Sequence, residues 1–184
     1  MGPDGRQHGA SGAEEAPARD APAPRTVGGP GPYLALAALL VVVDQSTKWI
    51  AVDTLAFGQR VAVIPGFFDF TLVYNRGAAF SFLAGADGWQ RWFFTVVALV
   101  ASAVIVWLLD RHRGQRLFSF SLALILGGAI GNVIDRVLHG QVTDFVLLYW
   151  QGWHWPAFNV ADMGITIGAV LLVLDELLRM RRRR

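Results

Sequence analysis

LFSFSLALILGGAIGNVIDRVL, residues 117–138, is the stretch on which the fold turns. Its apolar run is long enough to cross the hydrocarbon core of a bilayer, which takes about 20 such residues, yet it closes on Asn132, Asp135 and Arg136. Three further segments have the same character: about Tyr33 to Ile50, Trp92 to Leu109 and Val160 to Leu178. The pattern predicts an α-helical integral membrane protein with four transmembrane helices. Gly127 and Gly131 in the third span, and Gly164 and Gly168 in the fourth, have the small-xxx-small spacing that lets helix backbones approach closely. These two helices are therefore expected to pack together and to join their outer ends.

Composition agrees with that class. The 184 residues are 54% hydrophobic and 16% charged, against roughly 25% charged in an average soluble domain. Mean hydropathy is +0.42. With no cysteine, neither a disulfide framework, a thiolate nucleophile nor a cysteine-based zinc site is available. Residues 1–32 hold six of the eight prolines and mixed charges without apolar periodicity, and so read as a disordered tail. The tail lacks the pattern of a signal peptide, so the first span is expected to act as an uncleaved signal-anchor. The organisation expected is thus a tail over 1–32, a four-helix membrane domain over 33–180 and a basic C-terminus over 181–184.

Between the first two spans, Val61 to Ile64 and Phe68 to Tyr74 are short and rich in β-branched and aromatic residues, the mark of strands. They predict a small extracytoplasmic β-sheet, a cradle between helices 1 and 2, lying on the bilayer surface. Arg111, Arg113 and Arg116 fall between spans two and three, and Arg179 and Arg181 to Arg184 close the chain. Such a bias puts both termini and that loop in the cytoplasm, and the strand region outside. Directly after an apolar span, the terminal arginine run fits anchoring to anionic lipid headgroups better than nucleic-acid binding.

Two carboxylates need explaining. Asp144 and Asp162 lie at the facing ends of the third and fourth apolar segments, and an ionisable group at the edge of hydrocarbon is costly unless it has a partner or a job. The stretch between them, with six aromatics and Pro156, reads as a surface loop rather than a core element. Tyr149, Trp150, Trp153 and Trp155 suit an interfacial belt, and the loop over 150–157 suits a lid. Asp44 and Lys48, spaced i, i+4, form a self-neutralising pair in the first span; a Ser46–Lys48 dyad is disfavoured because residues two apart on a helix diverge. Asp135 and Arg136 suit either an internal ion pair or a direct role. Asn159 caps the last helix or binds a substrate carbonyl. Asn75 and Arg76, before Gly77-Ala78-Ala79-Phe80, suit a plain turn or the close approach of an extended peptide or lipid.

Taken in order and spacing, Asp44-Gln45-Ser46-Thr47-Lys48, Asn75-Arg76-Gly77-Ala78-Ala79-Phe80-Ser81-Phe82, Gly131-Asn132-Val133-Ile134-Asp135-Arg136, Val142-Thr143-Asp144-Phe145 and Phe158-Asn159-Val160-Ala161-Asp162 resemble the motifs of the bacterial lipoprotein signal peptidase, or signal peptidase II, family. The resemblance covers about Tyr33 to Met180; only the tail departs from it. It implies an aspartyl endopeptidase of the inner membrane that removes signal peptides from prolipoproteins before a diacylglyceryl-modified cysteine. It also implies that Asp144 and Asp162 are catalytic and that Asp44, Lys48, Asn75, Arg76, Asn132, Asp135, Arg136 and Asn159 support them. The partners expected are lipid-modified signal peptides and membrane lipids, with no nucleic acid, and nothing in the spans calls for more than a monomer.

Other classes make different demands. A transporter or proton conductor would use Asp44, Asp135, Asp144 and Asp162 as a relay, but these acids gather at one membrane face and the four spans show no inverted repeat. A lipid- or protein-binding scaffold would leave Asp144 and Asp162 dispensable. His8, His112, His139 and His154 form no ligand set, so no metal or other cofactor is expected.

Overall fold

A computed structural model describes residues 29–77, 88–112 and 114–182. The expected tail as far as residue 28, residues 78–82 of the Asn75 motif, Arg113, Arg183 and Arg184 lie outside the described residues. The elements are α1 (Gly31–Thr54), β1 (Arg60–Ile64), β2 (Phe68–Asn75), α2 (Trp89–Arg111), α3 (Arg116–His139), β3 (Val142–Trp150), β4 (Trp153–His154) and α4 (Val160–Arg182). A helix covers each of the four apolar segments and runs a few residues longer than it, so that α1 begins at Gly31, inside the expected tail. By length and composition α1, α2 and α3 are apolar enough to cross a membrane. The fourth helix is as long but ends in Asp175, Glu176, Arg179, Arg181 and Arg182.

α3 is the axis of the bundle. Within their apolar windows, 61% of α3 is buried against 22% of α1 and of α2, because α1, α2 and α4 all pack on it. Glycines set these approaches, though not wholly as their spacing implied. Gly164 and Gly168 of α4 do seat on α3, against the carbonyl oxygens of Leu124 and Ser121. On α3 itself Gly128 is the residue under α4, touching the Ala161 carbonyl, whereas Gly127 meets Ala37 and Leu40 of α1. Gly131 lies between the two, against the Asp44 carboxylate of α1, where an added Cβ would lie 2.6 Å from Oδ2, and against Ala161 of α4, whose Cβ it would meet at 3.3 Å. The correction follows from helical geometry: position 127 points towards α1, the next residue round towards α4, and position 131 lies between them.

Two expectations about the sheet are also corrected. It is an antiparallel sheet in the order β1-β2-β3-β4, so half of it comes from the chain between α3 and α4 rather than from the chain between helices 1 and 2. The Asp144 to Asp162 stretch is accordingly not a surface loop throughout: Asp144, Phe145 and Leu147 are buried in β3. A strand covered on both faces reads as a continuous apolar run, which sequence alone does not separate from the end of a helix.

One irregularity in the sheet decides which side chain of β2 reaches Asp144. The β2–β3 register slips between Phe70↔Val146 and Val73↔Asp144, giving β2 one extra residue, and Thr71 and Leu72 are buried in succession where alternation is the rule. Without that bulge Tyr74 would lie diagonal to Asp144; with it, Asn75 does. The chain enters β3 through Gly140, whose φ of +77° closes α3 with its N–H donated to Arg136 O, a conformation that favours glycine.

Candidate active site

The polar residues of α1, α3, β3 and α4 converge at one end of the bundle. Asp144 is held from two sides: Asn75 Nδ2 donates to its Oδ2 at 3.1 Å and Asn159 Nδ2 to its Oδ1 at 2.7 Å. Asn159 also donates to Thr143 O at 3.2 Å and Asn132 Oδ1 at 3.3 Å. Asn132 in turn donates to Asp162 Oδ1 at 2.8 Å. The two aspartates are thus linked through a pair of side-chain amides that fixes one relative to the other.

Local structure explains why these groups meet. Phe158 pairs with β3 as a one-residue bridge, its N–H donated to Val146 O at 3.0 Å, and this lays Asn159 beside Asp144. Asn159 then caps α4 as its residue type suggested, accepting from Asp162 N at 2.9 Å. Asp162 sits in the first turn of that helix, where the dipole favours a negative charge.

Beneath the pair is a second cluster. Lys48 Nζ lies 2.8 Å from Asp44 Oδ2 and 3.1 Å from Asp135 Oδ2, and donates to Asn132 Oδ1 at 3.0 Å. The Asp44–Lys48 pair read from the sequence is therefore present, but it is part of a triad. Asp135 belongs to Lys48 and not to Arg136, so the neighbouring-residue ion pair gives way to a contact across helices. Adjacent residues on a helix diverge, while Asp135 faces α1. A Ser46–Lys48 dyad is excluded on the same geometry, with Ser46 exposed and Lys48 buried between two carboxylates.

Arg136 donates to Asn132 O at 3.2 Å and lies over the Phe94 ring at 5.6 Å. It lines a cleft of about 700 Å³ with Asp162, Asn75, Phe94, Trp155 and Met163. The cleft follows α4 past Thr166 and Ile167, and its wall combines the polar Asn75, Arg136 and Asp162 with apolar side chains such as Leu148, Phe158 and Ile167. Arg76 stands apart from the aspartates: it is exposed and its Nε reaches Gln141 Oε1 at 3.4 Å. Asn75 does form the expected turn, its Oδ1 accepting from Gly77 N at 2.8 Å with Gly77 at φ +101°. Trp150, Trp153 and Trp155 are exposed, as an interfacial belt requires. Sequence reasoning did not single out Gln45 or Phe94. For Gln45 the signal was a side-chain amide one residue from Asp44 inside an apolar span; Phe94 had none, since one aromatic among many marks nothing.

Electrostatics single out Asp144. Burial pushes its carboxyl up to about 7, the charge of Asp162 adds to the rise, and the Asn75 and Asn159 hydrogen bonds and the charge of Lys48 oppose it. Two acids so placed are stabilised by one shared proton more than by two charges.

Apolar helices around a buried Asp144 and a half-buried Asp162, opened to one side by a cleft, define a membrane-embedded protein of the helical enzyme class. Two solved structures described as a bacterial membrane enzyme share this architecture: one has a TM-score of 0.75 at 32% identity, covering 84% of this chain and 92% of its own, and the other a TM-score of 0.73 at 32% identity, covering 80% and 93%. The family model for signal peptidase (SPase) II matches residues 36–178. Lipoprotein signal peptidases of Ralstonia nicotianae and Cupriavidus necator are 60% and 61% identical, over 84% and 82% of this chain and 88% and 85% of theirs. The chain belongs to the signal peptidase II family, a family of lipoprotein-processing proteases.

Proposed function

We propose that this protein is an aspartyl endopeptidase that removes the signal peptide from diacylglyceryl-modified prolipoproteins, cutting before the lipidated cysteine at the outer face of the inner membrane. The observation that carries the reading is the pairing of Asp144 and Asp162 through Asn159 and Asn132, with Asp162 on the wall of a cleft lined by both polar and apolar side chains. A substrate with a hydrolysable peptide bond next to lipid chains needs both kinds of lining.

In the reaction a water molecule lies between the two carboxyls. The ionised member takes a proton from it while the protonated member donates its proton to the scissile carbonyl oxygen, and the new C–O bond gives a tetrahedral diol. The carboxyl that now holds the proton then protonates the amide nitrogen while the ionised one takes a proton from a diol hydroxyl; C=O re-forms as the C–N bond breaks, and the pair again holds one shared proton. Asn75, Asn132 and Asn159 hold the carboxylates, Arg136 orients the substrate backbone at the cleft wall, and Asp44, Lys48 and Asp135 support the pair from below. Arg76, exposed beside the same corner, meets the substrate's outer part. No metal or other cofactor takes part.

α4 is the fourth membrane span, with both termini in the cytoplasm and the sheet outside, acting as a cradle for the outer part of the substrate. The chain works as a monomer, and the loop over 150–157, which brings Trp155 to the cleft, serves as its lid. A proton-conducting role is disfavoured because the opposite end of the bundle is closed by Ala37, Ile105, Leu109, Leu122 and Leu126. The test is cleavage of a synthetic diacylglyceryl-cysteine prolipoprotein peptide in detergent by the wild type, Asp144→Asn and Asp162→Asn, each checked for folding. Loss of cleavage in both folded variants supports the reading; cleavage by either at the wild-type rate overturns it.

A further inference from the structure

Gln45 has no assigned role, yet it occupies a position with a definite geometry. Its Nε2 donates to Asp135 Oδ1 at 2.9 Å, Gly131 O at 3.1 Å and Asp44 Oδ2 at 3.2 Å. One amide nitrogen with two hydrogens is thus shared among three acceptors, two of them carboxylates on different helices. Lys48 Nζ bridges the same two carboxylates from the other side.

What those carboxylates hold is the informative part. Asp44 Oδ1 accepts from the backbone N–H of Ala161 at 2.8 Å, the residue before Asp162. Asp135 Oδ2 accepts from the backbone N–H of Thr143 at 2.9 Å, the residue before Asp144. Each acid of the lower cluster therefore grips the main chain one residue ahead of one aspartate of the upper pair. The distance between the two grips is set by whatever bridges Asp44 to Asp135, and two side chains do so: Lys48 with a charge and Gln45 without one.

We infer that Gln45 is a positioning residue which, with Lys48, sets the separation of Asp144 and Asp162 by clamping Asp44 to Asp135. Lys48 alone leaves the triad with one surplus negative charge, and a second ammonium, in place of Gln45, would change the field at the pair above. A neutral amide supplies donors to both acids without changing that field, so it fixes geometry while leaving the shared proton where Asp144 and Asp162 place it. The charged groups bearing on Asp144 are Asp162 from α4, Lys48 from α1 and Arg136 from α3. Gln45 acts on the pair through Asp44 and Asp135 and never touches it.

The inference rests on the peptidase reading, and the experiment separates the two. Cleavage kinetics against pH would be measured for the wild type, Gln45→Met and Gln45→Glu in the detergent assay, with thermal unfolding of each and carboxyl ¹³C NMR titration of Asp144. Gln45→Met keeps the volume and removes the donors; kcat is expected to fall about tenfold or more with KM within about twofold, and the Asp144 titration to move because the spacing to Asp162 changes. Gln45→Glu adds an acceptor between two carboxylates and is expected to move the titration and both limbs of the profile to higher pH. Either variant keeping the wild-type kcat, profile and titration overturns the inference, as does a loss of kcat that merely tracks a loss of folded protein with the profile unmoved. Should the wild type itself not cleave, the peptidase reading fails, while the Asp144 titration in the three proteins still decides whether Gln45 sets the pair.

Discussion

The two ends of this helix bundle are held together by different forces. At one end α1, α2 and α3 meet through Ala37, Ile105, Leu109, Leu122 and Leu126, with Tyr33 and Phe118 packed against them. At the other the same α1 and α3, joined by β3 and α4, meet through Asp44, Gln45, Lys48, Asn132, Asp135 and Asn159. Apolar contact is non-directional and tolerates small shifts, so the first end can repack around a change. The second end is built from hydrogen bonds with fixed lengths and angles, which locates a carboxylate to a few tenths of an ångström but leaves an unpaired buried group when one partner is removed. A bundle that must position two acids needs the second kind of glue where the acids are, and only there.

That contrast is open to test at both ends. Asp144→Asn and Asp162→Asn should produce the largest effect, lowering cleavage by roughly 10³- to 10⁴-fold, since each removes a proton-transferring group. Initial-rate assays check it, and a fall of less than tenfold would remove the aspartates from the chemistry. Next, Lys48→Met should cost about 3–5 kcal/mol of stability because it strands Asp44 and Asp135 as buried charges. Denaturant unfolding in detergent measures it, and the activity should fall with it. Leu109→Ala, at the apolar end and almost fully buried, should cost about 2–4 kcal/mol yet leave kcat of the folded fraction nearly unchanged. If Leu109→Ala instead lowers kcat as strongly as Lys48→Met, the two ends are mechanically coupled and the contrast fails.

The gentlest test uses pH. Asp144 titrates near its ordinary 3.8 when unfolded and at about 7 when buried, so the folded state holds the extra proton between these values. This contribution to stability is fully present below about pH 4 and is lost as pH rises through about 7, with a slope of at most about 1.4 kcal/mol per pH unit. Unfolding midpoints measured across that window should fall with pH in the wild type and less steeply in Asp144→Asn. Equal slopes would mean that Asp144 does not carry the proton.

How much of this was legible beforehand differs from residue to residue. Asp44 and Lys48 lie one helical turn apart, so their pairing follows from the period of the helix alone. Asn159 as the cap of α4 is equally local. Of the two readings open for Asp135 and Arg136, an internal ion pair does not form, because the partner of Asp135, Lys48, is brought to it by packing across α1 and α3, which no local spacing encodes. The buried strand β3 was hidden because an apolar run covered on both sides has no alternation to reveal it. The bulge that turns Asn75 towards Asp144 depends on the pairing of two distant strands, and neither strand shows it by itself.

The chain by itself determined the apolar segments, the first two strands, the Asp44–Lys48 pair and the cap at Asn159, and it marked Asp144 and Asp162 as acids in need of partners, because each rests on hydropathy, periodicity or the cost of a charge beside hydrocarbon. Only the tertiary structure decided that Gly128 rather than Gly127 admits α4, that Lys48 and Gln45 bridge Asp44 to Asp135, and that these two acids grip the main chain just ahead of the aspartate pair. Those features join residues far apart in the chain, and their geometry is fixed by how helices and strands pack, not by the order in which they are written.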